Sequence, residues 1–264
     1  LSNELFALFL DETMTYSSAN FAGTTPDFDG LAEAQIRKVD GILDFAGVTA
    51  GTRLLEIGTG WGQLSLQAAK RGAEVHSITL SKEQKELAEK RIREAGFSDQ
   101  VTIELRDYRD ITDTYDAVAS VEMIEAVGEK YWQTYFDAIA SYLKPGGRFG
   151  LQAITMQHDR MLAAKHAYGW IHKYIFPGGL IPSLESIDHN TRGTFDLVDR
   201  RQMGLDYAHT LKLWRERFMS RTQEVISLGF DEEFIKIWEY YLAYSEAGFR
   251  AHHLDVWQLG FVKK

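Results

Sequence analysis

From residue 31 onward the apolar residues alternate between two periods, and that alternation admits few folds. "LAEAQIRKVDGILDFAG" has helical spacing and "TRLLEIG" is a short apolar strand run. The pairing recurs: "QLSLQAAKRG" reads as a helix closed by Gly72, "AEVHSIT" as a strand, "SKEQKELAEKRIREAG" as a helix closed by Gly96, and "VTIELRD" as a strand. "YDAVASVE" as a strand, "YWQTYFDAIASYL" as a helix ended by "KPGG", and "RFGLQAI" as a strand continue it. Strands joined by helices pair in parallel and are covered on both faces, so the expected class is α/β with a doubly wound, mostly parallel sheet. After Thr155 the rhythm changes to helical insertions at about 156–192 and 205–250, separated by the strand-like "TFDLVDR". "LDVWQLGFV" closes the chain as a seventh strand, expected antiparallel. Phe234, Ile237, Trp238, Tyr241 and Tyr244 recur at helical spacing and predict a core-packing stripe. With 264 residues and 45% hydrophobic content, the chain can bury the core of one such domain.

Where the first strand meets its helix stands "LLEIGTGWGQ", and Gly58, Gly60 and Gly62 there let backbone approach a ligand at the carboxyl edge of the sheet. The dinucleotide fingerprint G-x-G-x-x-G fits poorly, because Gln63 stands at the third glycine and no acid ends the second strand to take a ribose hydroxyl. A phosphate loop of the G-x-x-x-x-G-K-[ST] type is absent. Ser81 and Gln84 predict a capping box at the start of the following helix.

Several function classes drop out. A net charge of −9 without a basic stripe argues against a nucleic-acid partner. The chain has no cysteine, which removes disulfides, thiolate metal sites and a cysteine nucleophile. Its eight histidines show no ligand spacing, so no metal is expected, and no G-x-S-x-G elbow is present for serine catalysis. No run approaches the roughly 18 consecutive apolar residues of a membrane span. One feature stays unexplained by packing: "SVEMIEAVGEKYW" places Glu122 and Glu125 directly after a buried strand, where an unpaired carboxylate is costly.

The E-x-G-x-G of the first loop resembles motif I of the class I S-adenosylmethionine-dependent methyltransferases, whose sheet is Rossmann-like. That resemblance implies that Gly58 and Gly60 pass under the methionine part of S-adenosylmethionine while Glu56 orients the loop. Taken with "MTYSSANF", "ITLSKEQ", "DYRD", "VEMIEAVGEKYW", "YIFPGGLIP", "LDYAHTLKLWRERF" and "YLAYSEAGFR", essentially the whole chain resembles the cyclopropane-fatty-acid synthase family, which includes mycolic acid methyltransferases and makers of methyl-branched fatty acids. A lipid-binding N-terminal domain found in many members would precede the segment seen here.

The family resemblance implies methyl transfer to the cis double bond of an unsaturated phospholipid acyl chain, through a carbocation that a base then quenches. It implies Tyr16 and Ser17 near the cofactor's carboxylate and sulfonium, Thr79 and Gln84 at its ribose, and Asp107 and Tyr108 beside its adenine. It implies a bicarbonate ion as the base, held by Glu125, Tyr207 and the backbone of Ile154. Two departures touch that ion: Ser18 replaces a cysteine and Gln152 a histidine, though both still donate hydrogen bonds. A displaced or weakened base would favour a methylene branch over ring closure, and a separate reductase would then saturate it. Glu122 matches none of these bicarbonate ligands and reads as a structural or helix-start carboxylate. The implied setting is the cytoplasmic face of the membrane, with peripheral association, acyl chains as partners and a homo-oligomer open. "YIFPGGLIP" is either an apolar loop entering lipid or packed core. The competing readings are a small-molecule N- or C-methyltransferase and a non-catalytic lipid-binding subunit.

Overall fold

The computed structural model describes residues 1–264. A short helix α1 (Asn3–Phe9), capped by Ser2, precedes the longer α2 (Leu31–Phe45). Strand–helix alternation then runs β1 (Arg53–Ile57), α3 (Gln63–Lys70), β2 (Glu74–Thr79), α4 (Lys82–Glu94), β3 (Val101–Leu105) and β4 (Tyr115–Val121). Next come α5 (Ile124–Val127), α6 (Trp132–Tyr142) and the long β5 (Leu143–Met156). The first insertion holds α7 (His158–Ala164), α8 (Trp170–Tyr174) and α9 (Leu184–Thr191), and leads to β6 (Phe195–Gln202). The second holds α10 (Gly204–Ser220), α11 (Thr222–Ser227) and α12 (Glu232–Arg250), and returns to β7 (Leu254–Lys263).

The seven strands form one sheet in the order β3-β2-β1-β4-β5-β7-β6, parallel except where β7 runs antiparallel between β5 and β6. The α/β class, the sheet and the reversed last strand therefore match the sequence reading. The strand order turns at β1: β2 and β3 lie on one side of it, β4 and β5 on the other. A crevice opens at the carboxyl ends of β1 and β4, the position where open α/β sheets bind ligands.

Three apolar clusters hold the elements together. One packs α6 against β4 and β5 through Tyr135, Phe136, Phe149 and Leu151. A second fills the opposite face under α2, α3 and α4, with Ile42, Leu54, Ala68 and Val75. The third joins α1 to the second insertion, stacking Phe9, Trp214, Phe218, Trp238 and Phe249 above the carboxyl end of the sheet.

Three expectations change in detail. Tyr244 is exposed; Ile235, Leu242 and Phe249 join Trp238 and Tyr241 on the buried side of α12. "KPGG" belongs to the irregular start of β5, where its pairing with β4 shifts register between Tyr115 and Ala117 of β4. Ser81 caps α4 by accepting from the Gln84 N–H, but the reciprocal half of the box is missing, because the Gln84 side chain accepts from Thr79 Oγ1 at 2.9 Å. No helix is long and apolar enough to cross a membrane.

Candidate active site

The crevice at β1 and β4 deepens into a cavity of roughly 850 Å³. Its floor is the loop after β1, where Gly58 and Gly60 adopt φ of +96° and +51° that side-chain-bearing residues rarely hold. A Cβ on Gly58 would also lie 2.7 Å from the Met123 side chain, whereas one on Gly60 would meet open space. Gly62 has a different job. It does not line the cavity; it starts α3 at φ +88° and lets α3 approach Ala88 of α4, which a Cβ would meet at 3.1 Å.

Glu56 anchors this floor from below. Buried at the end of β1, it accepts hydrogen bonds from Ser65 on α3 and from Ser77 on β2 at 2.7 Å, tying three elements to one carboxylate. Burial pushes its carboxyl up to about 7, against the pull of those two hydroxyls. Thr79, Gln84, Asp107 and Tyr108 line the far wall. Asp107 caps the short turn at Tyr108–Asp110 and pairs with Arg109 at 2.7 Å. Tyr16 and Ser17 line the near wall, in a stretch that crosses above the sheet after α1. Tyr16 stacks on Trp214 and shares a hydrogen bond of 2.8 Å with the Tyr241 hydroxyl.

Lys38, which the sequence reading passed over, reaches the same cavity from α2. Its ammonium is buried, donates to Ser17 Oγ at 2.6 Å, and is lowered to about 8 by burial, with Glu122, Asp11 and Glu56 opposing the shift. A signal was present: Leu31, Ala34, Gln35, Lys38 and Ile42 lie on one buried stripe of α2, so the lysine sits where an apolar residue belongs.

At the end of β4 the chain turns sharply, and Glu122 takes the left-handed conformation at φ +52°. That costs a non-glycine residue on the order of 1–2 kcal/mol and aims the side chain at the cavity wall. Three donors grip its carboxylate. The Ser18 N–H donates to Oε1 at 3.0 Å, Gln152 Nε2 donates to the same oxygen at 2.8 Å, and the Tyr207 hydroxyl donates to Oε2 at 3.0 Å. The set is held in turn: Gln258 donates to Gln152 Oε1 at 3.0 Å and to the Lys38 carbonyl at 2.9 Å. Burial raises the Glu122 carboxyl, while Lys38 and the three donors pull it back.

Glu125, one turn on, is poorly supplied by comparison. Its Oε1 accepts from the Ile154 N–H at 2.5 Å, and its Oε2 is buried without a partner. Burial first, and the charge of Glu122 second, push Glu125 up to about 8, so Glu125 holds a proton at neutral pH. The loop "YIFPGGLIP" closes over it, with the Leu180 N–H donating to the Glu125 carbonyl at 2.9 Å. In that loop Phe176 is about half exposed.

The profile of the mycolic acid cyclopropane synthetase family matches residues 1–259 of this chain. The chain belongs to that family. It is 54% identical over 270 residues to the tuberculostearic acid methyltransferase UfaA1 of Mycobacterium tuberculosis, covering 100% of this chain and 63% of the relative. To the cyclopropane-fatty-acyl-phospholipid synthase of Escherichia coli K12 it is 37% identical over 262 residues, covering 99% of this chain and 65% of the relative. The chain thus spans a little under two thirds of the length of these two relatives. The solved cyclopropane synthase MmaA2 from M. tuberculosis superimposes with a TM-score of 0.91 at 30% identity, over 100% of this chain and 95% of that one. The cyclopropane synthase CmaA1 complexed with SAH and CTAB does so with 0.90 at 28%, over 99% and 94%.

Among the cyclopropane synthetase residues expected to surround a bicarbonate ion, the structure assembles a different arrangement. Ser18, Gln152 and Tyr207 converge on Glu122, and Ile154 alone bonds Glu125. The Ser18 hydroxyl turns away to the Ala19 carbonyl at 3.0 Å, so its contribution to the cluster is its backbone N–H. Of the two readings of Glu122, as a structural or a helix-start carboxylate, the second drops out: its side chain serves the cluster between β4, β5 and α10, and α5 begins two residues later without a side-chain cap. Ser18, Gln152, Ile154, Glu125 and Tyr207 lie behind the cavity wall, and Glu122 is the member of the cluster that faces the cavity.

Proposed function

We propose that this chain is an S-adenosylmethionine-dependent methyltransferase acting on the cis double bond of an unsaturated phospholipid acyl chain. The observation that carries the reading is the meeting of a cofactor-sized cavity with a buried acid cluster at one residue, Glu122. The residues present fit the cofactor: glycine backbone at φ > 0 leaves room for its methionine part, Lys38 and Ser17 stand ready for its carboxylate, and Asp107 and Tyr108 flank the far end. When bound, S-adenosylmethionine supplies an electrophilic methyl group on a sulfonium.

An alkene is a weak nucleophile with no proton to remove beforehand, so the protein must hold it in line and exclude water. Tyr16 lines the cavity with Trp214 and Tyr241 packed behind it, and this dry aromatic backing favours positive charge developing nearby. A carboxylate beside that wall both stabilises the carbocation and receives its surplus proton. The acyl chain would run between the two helical insertions, and exposed Tyr168, Tyr174 and Phe176 offer apolar surface for peripheral contact with the inner face of the membrane.

For the product, we favour a methylene branch that a separate reductase saturates. Support comes from 54% identity to a tuberculostearic acid methyltransferase against 37% to a cyclopropane-fatty-acyl-phospholipid synthase, and from the absence of the family's cysteine and histidine at Ser18 and Gln152. The test incubates the protein with methyl-labelled S-adenosylmethionine and either cis-unsaturated phospholipid vesicles or a panel of amines. Label in the lipid, with a methylene-branched chain by mass spectrometry, is the expected outcome. Label in an amine instead points to the small-molecule reading, and cyclopropyl lipid alone rejects the product assignment.

A further inference from the structure

We infer that Glu122 is this protein's built-in proton acceptor, its carboxylate taking the place of a dissolved anion in the second half of the reaction. The inference rests on the proposed methyl transfer to an alkene and deepens it. Its foundation is geometric: a carboxylate presents the two oxygens that a planar bicarbonate would present, and here they already satisfy the Ser18 N–H, the Gln152 amide and the Tyr207 hydroxyl. The single protons of the Ser18 N–H and the Tyr207 hydroxyl are thereby committed to Glu122 and are not offered to a second anion. The left-handed backbone at Glu122 is the cost of the arrangement, since a strand-end residue in ordinary conformation would point its side chain elsewhere. Lys38 supplies a buried positive charge that opposes the upward push of burial on this carboxyl, a help that Glu125 does not receive.

The chemistry balances without another reagent. Methyl transfer breaks the C–S bond, leaving its electron pair on sulfur, while the alkene π pair makes the new C–C bond and the other alkene carbon becomes positive. Glu122 then takes a proton from the new methyl group. If it does so at once, the C–H pair closes a cyclopropane. If a hydride first moves from the methyl-bearing carbon to the positive one, the same proton loss forms a methylene branch on the open chain. Sulfonium and carboxylate charges cancel, and Glu122 returns its proton to water once product has left.

The test uses Glu122→Gly and Glu122→Gln in buffer stripped of carbon dioxide. Glycine adopts φ +52° without strain, so that variant relieves the backbone, and it vacates the space of a small carboxylate. Wild-type protein is expected to label vesicle lipid at the same rate with and without added bicarbonate. Glu122→Gly is expected to lose about 10²–10⁴-fold in turnover, to keep its S-adenosylmethionine affinity within about threefold by calorimetry, and to recover with sodium formate or bicarbonate. Glu122→Gln, which fills the same space, is expected to lose turnover without rescue. Carbon-13 NMR of the cofactor-free wild type is expected to show no saturable bicarbonate binding. Saturable binding there, or a wild-type rate that falls without bicarbonate and returns with it, overturns the inference. So does a Glu122→Gly variant as fast as wild type without any added anion. Absence of lipid label under every condition rejects the parent reading instead.

Discussion

The two halves of the site are built by opposite means. The cavity floor is local: one five-residue loop, 58–62, between β1 and α3, shaped by backbone conformation and pinned by a single carboxylate, Glu56. The acid cluster is assembled from side chains at positions 122, 152, 207 and 258 and the backbone N–H of Ser18, none of them sequence neighbours, and its shape lives in their hydrogen bonds. Damage to the first should appear in cofactor binding, and damage to the second in turnover and in the response to pH. A site of this design separates holding the cofactor from handling the proton, with Glu122 as the point of contact.

The largest effect that sharpens this contrast concerns stability. Glu125 is raised to about 8, so between its unfolded value near 4.5 and pH 8 the folded state holds a proton that the unfolded state has lost. Stability should therefore decline as pH rises through that window, by a few kcal/mol on the order implied by the shift, and level off above it. Glu56, raised to about 7, adds to the decline, whereas Lys38, lowered to about 8, adds stability only above pH 8. Glu125→Gln should flatten much of the slope in denaturant titrations at pH 5, 6.5 and 8; an unchanged slope would place the proton elsewhere.

Next in size is Tyr207→Phe. It deletes a hydrogen bond to a charged carboxylate, worth about 1.5–3 kcal/mol, so kcat should fall roughly 10- to 100-fold. Cofactor affinity, read by calorimetry, should stay level, and a matching loss of affinity would erase the division between the two regions. Gly58→Ala tests the opposite side. Its added Cβ meets Met123 at 2.7 Å in a left-handed backbone, and cofactor Kd should rise about tenfold while kcat at saturation changes little. Smallest is Gly62→Ala, expected to cost about 1 kcal/mol in thermal unfolding through its φ and its contact with Ala88, with cofactor Kd unaltered. A Kd that moved with it would return Gly62 to the cofactor loop.

Legibility in the sequence followed the same divide. Strand runs, helix stops at Gly72 and Gly96 and the loop "EIGTG" are contiguous signals, and they led to the sheet, the crevice and the cavity residues. Glycine spacing did not reveal that Gly62 packs helices while Gly58 and Gly60 face the cavity, because that depends on α4 arriving behind it. Glu122 and Glu125 were visible as misplaced charges, but which of them is solvated by donors was not. Their partners come from β5, α10 and the segment after α1.

From the sequence alone come the alternating periods, the permissive glycines and the acids after β4, since each arises from sterics and hydration acting over a few adjacent residues. Tertiary structure alone decided that Glu122, rather than Glu125, receives the Tyr207 hydroxyl, the Gln152 amide and the Ser18 N–H. Proton affinity in a dry interior is set by the dipoles and charges within a few ångströms, and the distance along the chain carries no information about them.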